Sequence, residues 1–348
     1  MEDFAQRLIA WQRRHGRHDL PWQQDRDPYR ILVSEVMLQQ TQVETVIPYY
    51  RRFLARFPDV AALAAAPLDE VLALWSGLGY YARARHLHAA ARRIVSEHGG
   101  RFPRDFAAIA ALPGVGRSTA AAIAVFAFGE RQAILDGNVR RVLCRVFGIE
   151  GWPGEPAVTA RLWRLAESLL PQLDLPAYTQ GLMDLGATVC TRARPRCDLC
   201  PMTECVARDT GRQNELPTPR PRRDLPERQK AVLLLLHAGE ILLERRAATG
   251  VWGGLWSLPE FEVGADPVEA AFALGCRAER VEGLPRLTHG FTHFKLVMQP
   301  WLVHVRRPAR VAEVDGRLWL PVEAALGAAL PTPVRRLLAP LALGAGRP

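Results

Sequence analysis

A nine-residue turn between two helical runs constrains the fold of this chain more than any other segment. Residues 112–120 read Leu-Pro-Gly-Val-Gly-Arg-Ser-Thr-Ala. The glycines permit a tight turn and a close approach of another backbone. At the start of the second helix several N–H groups lack helical partners, and the helix dipole adds positive potential. The segment predicts a helical hairpin that binds a phosphate through Gly114, Val115 and Gly116; an ordinary loop is the alternative.

The length and charge of the chain indicate two domains and a polyanionic partner. With 348 residues the chain is long enough for two cores. Its net charge is +9, and the basic excess is almost all arginine, because Lys230 and Lys295 are the only lysines. Arginine binds phosphates bidentately and stacks on bases. G+C-rich coding would also favour arginine over lysine, but it does not explain the net positive charge.

Neither a signal peptide nor a membrane span is predicted. The N-terminal residues lack the basic and then apolar order of a signal peptide. The richest apolar run, Ala231–Leu236, has only the length of a strand. We therefore expect a soluble, monomeric protein of the cytoplasm, associated with the nucleoid if it is bacterial.

Hydrophobic periodicity divides the chain into a helical part, a linker and a mixed part. Apolar residues recur at helical spacing over residues 60–73, 82–95, 120–128 and 161–170. Residues 212–228 carry four prolines and five arginines, which predicts an extended linker. Strands are predicted after it at Ala231–Leu236, Ile241–Glu244 and Phe294–Val305, with turns at His237–Gly239 and Asp315–Gly316. The fold class is therefore an all-α domain at 1–211, a linker at 212–228 and an α/β domain at 229–348.

Four cysteines lie within sixteen residues, at Cys190, Cys197, Cys200 and Cys205. In a reducing cytosol this density indicates a metal centre rather than disulfides. Four thiolates suit either Zn²⁺ or a [4Fe–4S] cluster. Zinc sites usually pair their ligands in two short knuckles, whereas the gaps here are six, two and four residues.

Two acidic residues stand out as candidates for catalysis. Glu35 is the one acid within an apolar helical run, and such a setting raises a carboxyl pKa, as a general acid near neutral pH requires. A solvated surface position is the alternative for a lone helical acid. Asp136 lies in Asp-Gly-Asn, which is also a good helix cap.

These motifs together resemble the endonuclease III-like DNA glycosylases. The string at 30–43, Arg-Ile-Leu-Val-Ser-Glu-Val-Met-Leu-Gln-Gln-Thr-Gln-Val, resembles the MutY family of adenine DNA glycosylases. The resemblance covers residues 3–335. It implies a helix-hairpin-helix fold with a [4Fe–4S] cluster on the four cysteines, although the family's last cysteine gap is usually one residue longer. It also implies duplex DNA containing A:8-oxoguanine or A:G mispairs as the partner and substrate.

The same resemblance implies the catalytic roles. Glu35 would protonate the adenine and activate water, and Asp136, with Asn138 beside it, would stabilise the sugar cation. Gln39, one helical turn after Glu35, would be the wedge that fills the space left by the flipped base.

Further positions match the family's substrate contacts. Tyr80, in the segment 77–85, would stack beside 8-oxoguanine, and Arg83 and Arg85 of that segment would contact DNA. Trp22, Leu38 and Gln180 would form the adenine pocket, with Ser118 at its border. Packed core or helix-surface positions are the alternatives for the tyrosine, the tryptophan and the glutamine.

The lysine content predicts base removal without strand cleavage. In the strand-cleaving branch of the superfamily the position of Ser118 holds a nucleophilic lysine, and some relatives carry lysine at Arg140. No lysine occurs in residues 1–229. A Schiff base needs a neutral amine, whereas guanidinium stays protonated. We therefore expect a monofunctional glycosylase.

The second domain resembles a Nudix domain without its metal ligands. Four positions of the Nudix box fit, namely Gly254, Glu260, Glu269 and Gly275. The paired glutamates that would hold Mg²⁺ fall at Phe272 and Ala273, so pyrophosphate hydrolysis is not expected. The family's Phe-Ser-His loop appears as Phe291, Thr292 and His293, which would recognise 8-oxoguanine. A metal pair of His289 and His293 is the weaker alternative.

The predicted function is that of a monofunctional adenine DNA glycosylase that flips and hydrolyses mispaired adenine. A pyrimidine glycosylase with lyase activity is disfavoured by Ser118 and the absent lysines. A Nudix hydrolase with a DNA-binding appendage is disfavoured by the incomplete box. A non-catalytic iron–sulfur protein is disfavoured by Glu35 and Asp136.

Overall fold

The computed structural model describes residues 2–221, 224–247, 249–306 and 316–344. Arg222 and Arg223 of the predicted linker and Asp315 of the predicted turn lie outside them. The chain forms two compact units, one of residues 1–65 and 86–222 and the other of residues 66–85 and 223–348. Residues 66–85 thus belong with the C-terminal unit, although the sequence division counts them in the first domain.

Helices dominate the chain before the linker. Their bounds are α1 Glu2–His15, α2 Pro28–Leu38, α3 Val43–Arg56, α4 Val60–Ala65, α5 Leu68–Trp75, α6 Ala82–His98, α7 Phe106–Ala110, α8 Arg117–Phe128, α9 Gly137–Val146, α10 Pro156–Ser168, α11 Leu175–Asp184 and α12 Val206–Asp209. Short 3-10 helices occupy Pro21–Gln23 and Cys197–Leu199, and a π-helix occupies Leu185–Val189. The predicted helical run 60–73 is interrupted at Pro67, because proline removes a helical hydrogen bond.

Helices α1 and α11, both in the first unit, pack closely along one another. Phe4 lies against Tyr178, with ring centroids 6.4 Å apart. A β-carbon added at Gly181 would lie 3.1 Å from Leu8 and 3.2 Å from Gln12, so a larger residue would push α1 and α11 apart. This packing brings the end of α1 next to the end of α11.

The helical hairpin predicted at 112–120 is present between α7 and α8. Gly114 has a φ of +75°, and a β-carbon there would lie 2.6 Å from His86 Cβ. Helical bonding in α8 begins at Ala120, whose N–H donates to Gly116 O at 2.9 Å. The N–H groups of the preceding residues of α8 therefore have no partner within the helix.

The second unit is built on a mixed sheet. Its strands are β1 Glu227–His237, β2 Glu240–Arg245, β3 Trp256–Ser257, β4 Glu260–Phe261, β5 Arg277–Gly283, β6 Leu287–Gly290, β7 Lys295–Arg306 and β8 Arg317–Pro321. The strand order is β3-β2-β1-β7-β5, with β4 beside β1, β6 beside β7 and β8 beside β2. The central pair β1 and β7 is parallel, from Glu227 opposite Lys295 to Leu236 opposite His304. The strand therefore begins inside the predicted linker, because main-chain pairing extends into its polar residues.

Both faces of the sheet are buried, which explains the unbroken apolar run of β1. Val232 and Leu234 join one core, and Leu233 and Leu235 join another. The remaining helices are α13 Pro267–Ala273, α14 Val322–Gly327 and α15 Thr332–Gly344. The first core also contains residues of α14 and α15, and the second contains Ala271 of α13. The unit is thus a layered α/β domain.

Residues 66–85 are bonded into this second unit at several points. The Tyr81 hydroxyl donates to Leu330 O at 2.8 Å, and Arg335 donates to Ser76 Oγ at 2.8 Å. Arg85 donates to Gly253 O at 2.6 Å. These bonds attach the loop after α5 to the start of α15 and to the loop before β3.

Within the described ranges, none of the helices combines the length and the apolar character that crossing a bilayer requires.

Candidate active site and its surroundings

Helix α2 presents Glu35 at the wall of a cavity. Asp27 caps the helix by accepting from Tyr29 N–H at 2.9 Å, and Pro28 occupies its first turn. The other faces of α2 are buried in the core. Glu35 is half-buried, so its carboxyl reaches the cavity while the helix around it stays packed.

The cavity has a volume of about 330 Å³ and unites several predicted residues. Trp22, Leu38 and Gln180 line it together with Glu35. The Trp22 ring meets Tyr50 edge-on, at 5.4 Å between centroids. The cavity therefore brings an apolar wall, an acid and an amide into one enclosure.

Burial sets the protonation of Glu35. Loss of solvation and, to a smaller extent, the nearby negative charge of Asp136 together raise the pKa of its carboxyl to about 8. Glu35 therefore carries a proton at neutral pH. This is the state that a general acid needs before the reaction.

The surroundings of Asp136 favour the charged form of its carboxyl group more than the surroundings of Glu35 favour the charged form of Glu35. Burial raises the pKa of Asp136, but main-chain N–H groups of Val139 and Asn138 and the charges of Arg141 and Arg140 oppose that rise. The bond from Val139 N–H to its Oδ1 is 2.7 Å long and caps α9. Capping and a catalytic role are thus compatible, and the pair consists of one acid whose pKa is raised by burial and one whose rise in pKa is opposed by hydrogen bonds.

Asn138 and Ser118 lie beside Asp136 and do not line the cavity. Asn138 accepts from Arg141 through Oδ1 at 2.8 Å. Ser118 Oγ accepts from Leu135 N–H at 3.0 Å, which fixes the backbone just before Asp136. The position that holds the amine in strand-cleaving enzymes thus holds a hydroxyl bonded to the main chain.

The predicted wedge and stacking residues both lie at strained backbone. Gln39 lies just after α2 rather than within its last turn, and Gln40 has a φ of +59°. Tyr80 has a φ of +49° and is 52% exposed. Non-glycine residues in this region cost free energy and are typical of functional loops.

Arg83 and Arg85 are engaged within the second unit, which differs from the predicted DNA contact. Arg83 is buried and donates to Leu78 O and Gly79 O, both at 3.1 Å. Its guanidinium lies 5.5 Å from the centroid of the Tyr80 ring. These bonds hold the guanidinium against the loop that carries Tyr80 (residues 76–81, the Tyr80 loop), and the phosphate contact of Arg83 stays a prediction.

The four cysteines line one small cavity, together with Arg145 and Arg196. Arg145 donates to Cys190 Sγ at 3.4 Å and to Thr191 O at 2.7 Å. Burial raises the pKa of the Cys200 thiol to about 11. Over the residues that the structure covers, no three His, Cys, Asp or Glu side chains form a ready metal-ion site.

The loop between β6 and β7 in the second unit exposes the predicted recognition residues. Thr292 and His293 are exposed at the tip. Phe291 is half-buried and stacks on Phe294 at 4.6 Å, with His289 edge-on at 4.7 Å. The aromatic base of the hairpin thus supports two polar side chains that face solvent.

The Nudix-box positions are occupied as the sequence predicts. Phe272, in the place of a metal-binding glutamate, is 76% exposed. Glu260 pairs with Lys230 at 3.2 Å and also with Arg246. A carboxylate that is already paired with two cations does not suit a divalent cation.

Two charged residues near the cavity were not predicted from the sequence. Arg17 lines the cavity, and Asp184 is fully buried directly behind it. An acid inside the apolar string Leu-Met-Asp-Leu-Gly was the available signal.

Comparisons with known proteins agree with these features. Residues 33–168 match the HhH-GPD superfamily of base excision DNA repair proteins, and residues 231–340 match a NUDIX domain. An adenine DNA glycosylase of Buchnera aphidicola is 33% identical over 96% of this chain and 96% of its own length. The adenine DNA glycosylase of Homo sapiens is 35% identical over 96% of this chain and 73% of its own.

Among solved structures, a thermostable thymine-DNA glycosylase is similar with a TM-score of 0.55 and 33% identity, over 60% of this chain and 95% of that one. The predicted fold class and family are confirmed by these matches.

Proposed function

Since the chain belongs to the adenine DNA glycosylase family of the HhH-GPD superfamily, we propose that it hydrolyses adenine mispaired with 8-oxoguanine or guanine in duplex DNA. The observation that carries this proposal is Glu35, an acid with a pKa of about 8 in the wall of a cavity that Trp22, Leu38 and Gln180 complete. The product is an abasic site, which begins base excision repair.

The reaction uses the two carboxyl groups in different protonation states, with Glu35 protonated and Asp136 ionised. Glu35 donates its proton to a ring nitrogen of the flipped adenine, and the electron pair of the glycosidic bond leaves with the base. Asp136 stabilises the positive sugar, with Asn138 beside it. Water then bonds to the sugar carbon and returns a proton to Glu35. Adenine and an abasic site are the only products.

The proposed contacts with duplex DNA come from several separate segments of the chain. Gly114, Val115 and Gly116 offer the helix start of α8 to a phosphate, and Gln39 fills the space of the flipped base. Tyr80 stacks in the duplex beside 8-oxoguanine. Thr292 and His293 contact that lesion, with Phe291 supporting them.

We propose that the four cysteines hold a [4Fe–4S] cluster. Their four thiols meet at one cavity, and Arg145 beside Cys190 compensates thiolate charge. Cys190, Cys197, Cys200 and Cys205 would hold the cluster, which would then cross-link the loop that presents Arg192, Arg194 and Arg196. Its contribution is structural.

The test of the function is the variant Glu35→Gln with duplexes that carry A opposite 8-oxoguanine. An amide cannot donate the proton, so excision under single-turnover conditions should fall by about 10² or more, while duplex affinity stays near that of the wild type. The matched control is Glu44→Gln, which changes another glutamate soon after α2 and should leave excision intact. Excision by Glu35→Gln near the wild-type rate would remove Glu35 from the acid role.

A further inference from the structure

The buried Asp184 is bonded to Gln180 and to Arg17 at the same time. Gln180 Nε2 donates to Asp184 Oδ1 at 2.9 Å. Arg17 donates to the same carboxylate through its main-chain N–H at 2.9 Å and through Nε at 2.7 Å. The side chain of Asp184 is completely buried, and it does not line the cavity that Gln180 and Arg17 line.

These bonds determine which end of the Gln180 amide faces the cavity. An ion-paired carboxylate accepts hydrogen bonds and donates none. Only the NH₂ end of Gln180 can therefore turn toward Asp184, because the opposite rotamer would set two oxygens against each other. The carbonyl Oε1 is then the end that is turned away from Asp184, and Gln180 is a lining residue of the cavity.

An acceptor in this position distinguishes purines by their substituent at C6. Adenine carries an amino group there, which donates, whereas guanine, 8-oxoguanine and hypoxanthine carry an oxygen, which accepts. On the proposed function, we infer that Asp184, held by Arg17, is a positioning residue that orients Gln180 to accept from the adenine 6-amino group. The same orientation rejects the 6-oxo purine from the other strand of the mispair, because two acceptors would face each other.

The experiment compares single-turnover excision of adenine and of hypoxanthine opposite 8-oxoguanine, by the wild type and by Asp184→Asn. An asparagine can donate or accept, so Gln180 can turn either end to the cavity. The ratio of adenine to hypoxanthine excision should fall about 10-fold in Asp184→Asn, which corresponds to about 1.4 kcal/mol. In Gln180→Leu, adding Asp184→Asn should leave the ratio unchanged.

The matched control is Asp174→Asn. Asp174 also forms an ion pair between α11 and α1, with Arg13 at 2.7 Å, but it is remote from the amide. Its adenine-to-hypoxanthine ratio should equal that of the wild type. If Asp184→Asn does not fold, Arg17→Gln provides the same comparison, because it removes the guanidinium that holds the carboxylate.

The outcomes separate this inference from the proposed function. If the wild type releases no adenine from any duplex, the function itself is wrong. If the wild type excises adenine but both Asp184→Asn and Arg17→Gln slow adenine and hypoxanthine equally, Asp184 is only structural and the inference is overturned.

Discussion

At the scale of single residues, the site depends on how neighbours set the state of a polar group. The apolar string around Glu35 was enough to predict its raised pKa, because desolvation follows from local sequence. The Asp184 contact was not predictable in that way. Its partner Arg17 lies 167 positions away in the chain, so only the packing of α1 on α11 brings them together.

The pKa of Glu35 predicts the pH dependence of the reaction. The proton must be on Glu35 in the free enzyme, so kcat/KM should fall about tenfold per pH unit above about 8. A pH series with A:8-oxoguanine duplexes measures this, with duplex affinity at each pH as the control. A profile that stays flat up to pH 10 would show that another group donates the proton.

The same shift predicts that the folded protein loses stability as the pH rises from about 4.5 to about 8. Glu35 has a higher pKa in the folded protein, about 8, than the 4.5 of an exposed glutamate. Between these values the folded protein binds a proton that the unfolded chain has lost, so stability present below about pH 4.5 decreases as pH rises to about 8. The limit is about 1.4 kcal/mol per pH unit. Chemical denaturation should therefore show that the free energy of unfolding of Glu35→Gln increases relative to that of the wild type from pH 5 to pH 8. A difference between the two free energies that does not change with pH would contradict the raised pKa.

At the scale of elements, the sequence predicts those elements that have a strong local signal. It does not predict the bounds that depend on pairing with distant parts of the chain. The hairpin of α7 and α8 follows from Gly114, because the turn requires a positive φ. The start of β1 was placed too late, because pairing with β7 rather than side-chain character extends that strand. The membership of residues 66–85 in the second unit follows from bonds such as Tyr81 to Leu330, which no local pattern contains.

The cysteine loop predicts iron in the purified protein. Four thiols around one cavity should hold about four irons per chain, with the brown colour of an iron–sulfur cluster. Cys205→Ala should lose the cluster, and Cys144→Ala, which changes a buried cysteine outside the loop, should keep it. Stoichiometric zinc without iron would contradict the cluster, and a full cluster in Cys205→Ala would show that another ligand completes it.

The bonds between the Tyr80 loop and α15 predict that Arg335 supports lesion recognition from a distance. Removing its bond to Ser76 in Arg335→Ala should loosen the loop by about 1–2 kcal/mol and reduce the preference for A:8-oxoguanine over A:G several-fold. In Tyr80→Ala the same change should have little further effect. The control is Arg306→Ala, which breaks an exposed pair with Glu279 in the same unit. An unchanged preference in Arg335→Ala, or effects that simply add, would show that the loop is held elsewhere.

At the scale of the whole molecule, the division of the chain changes how lesion recognition is best tested. Deleting residues 229–348 would remove the partners of Ser76 and Tyr81 along with the recognition hairpin, so it would not isolate that hairpin. Point variants in the loop between β6 and β7 change the predicted recognition residues and leave the partners of Ser76 and Tyr81 in place. Thr292→Ala combined with His293→Ala should reduce the preference for A:8-oxoguanine over A:G by about 1–3 kcal/mol without changing excision from A:G. Equal losses on both duplexes would place lesion recognition outside this hairpin.

Adenine removal by hydrolysis can be tested in one assay on four duplexes. Purified protein is incubated with duplexes that carry A opposite 8-oxoguanine, G, C or T, and each sample is analysed with and without alkali. We expect abasic product from the first two duplexes, little from the others, and strand breaks only after alkali, because residues 1–229 contain no lysine. Excision of pyrimidines, or strand cleavage before alkali, would contradict the account.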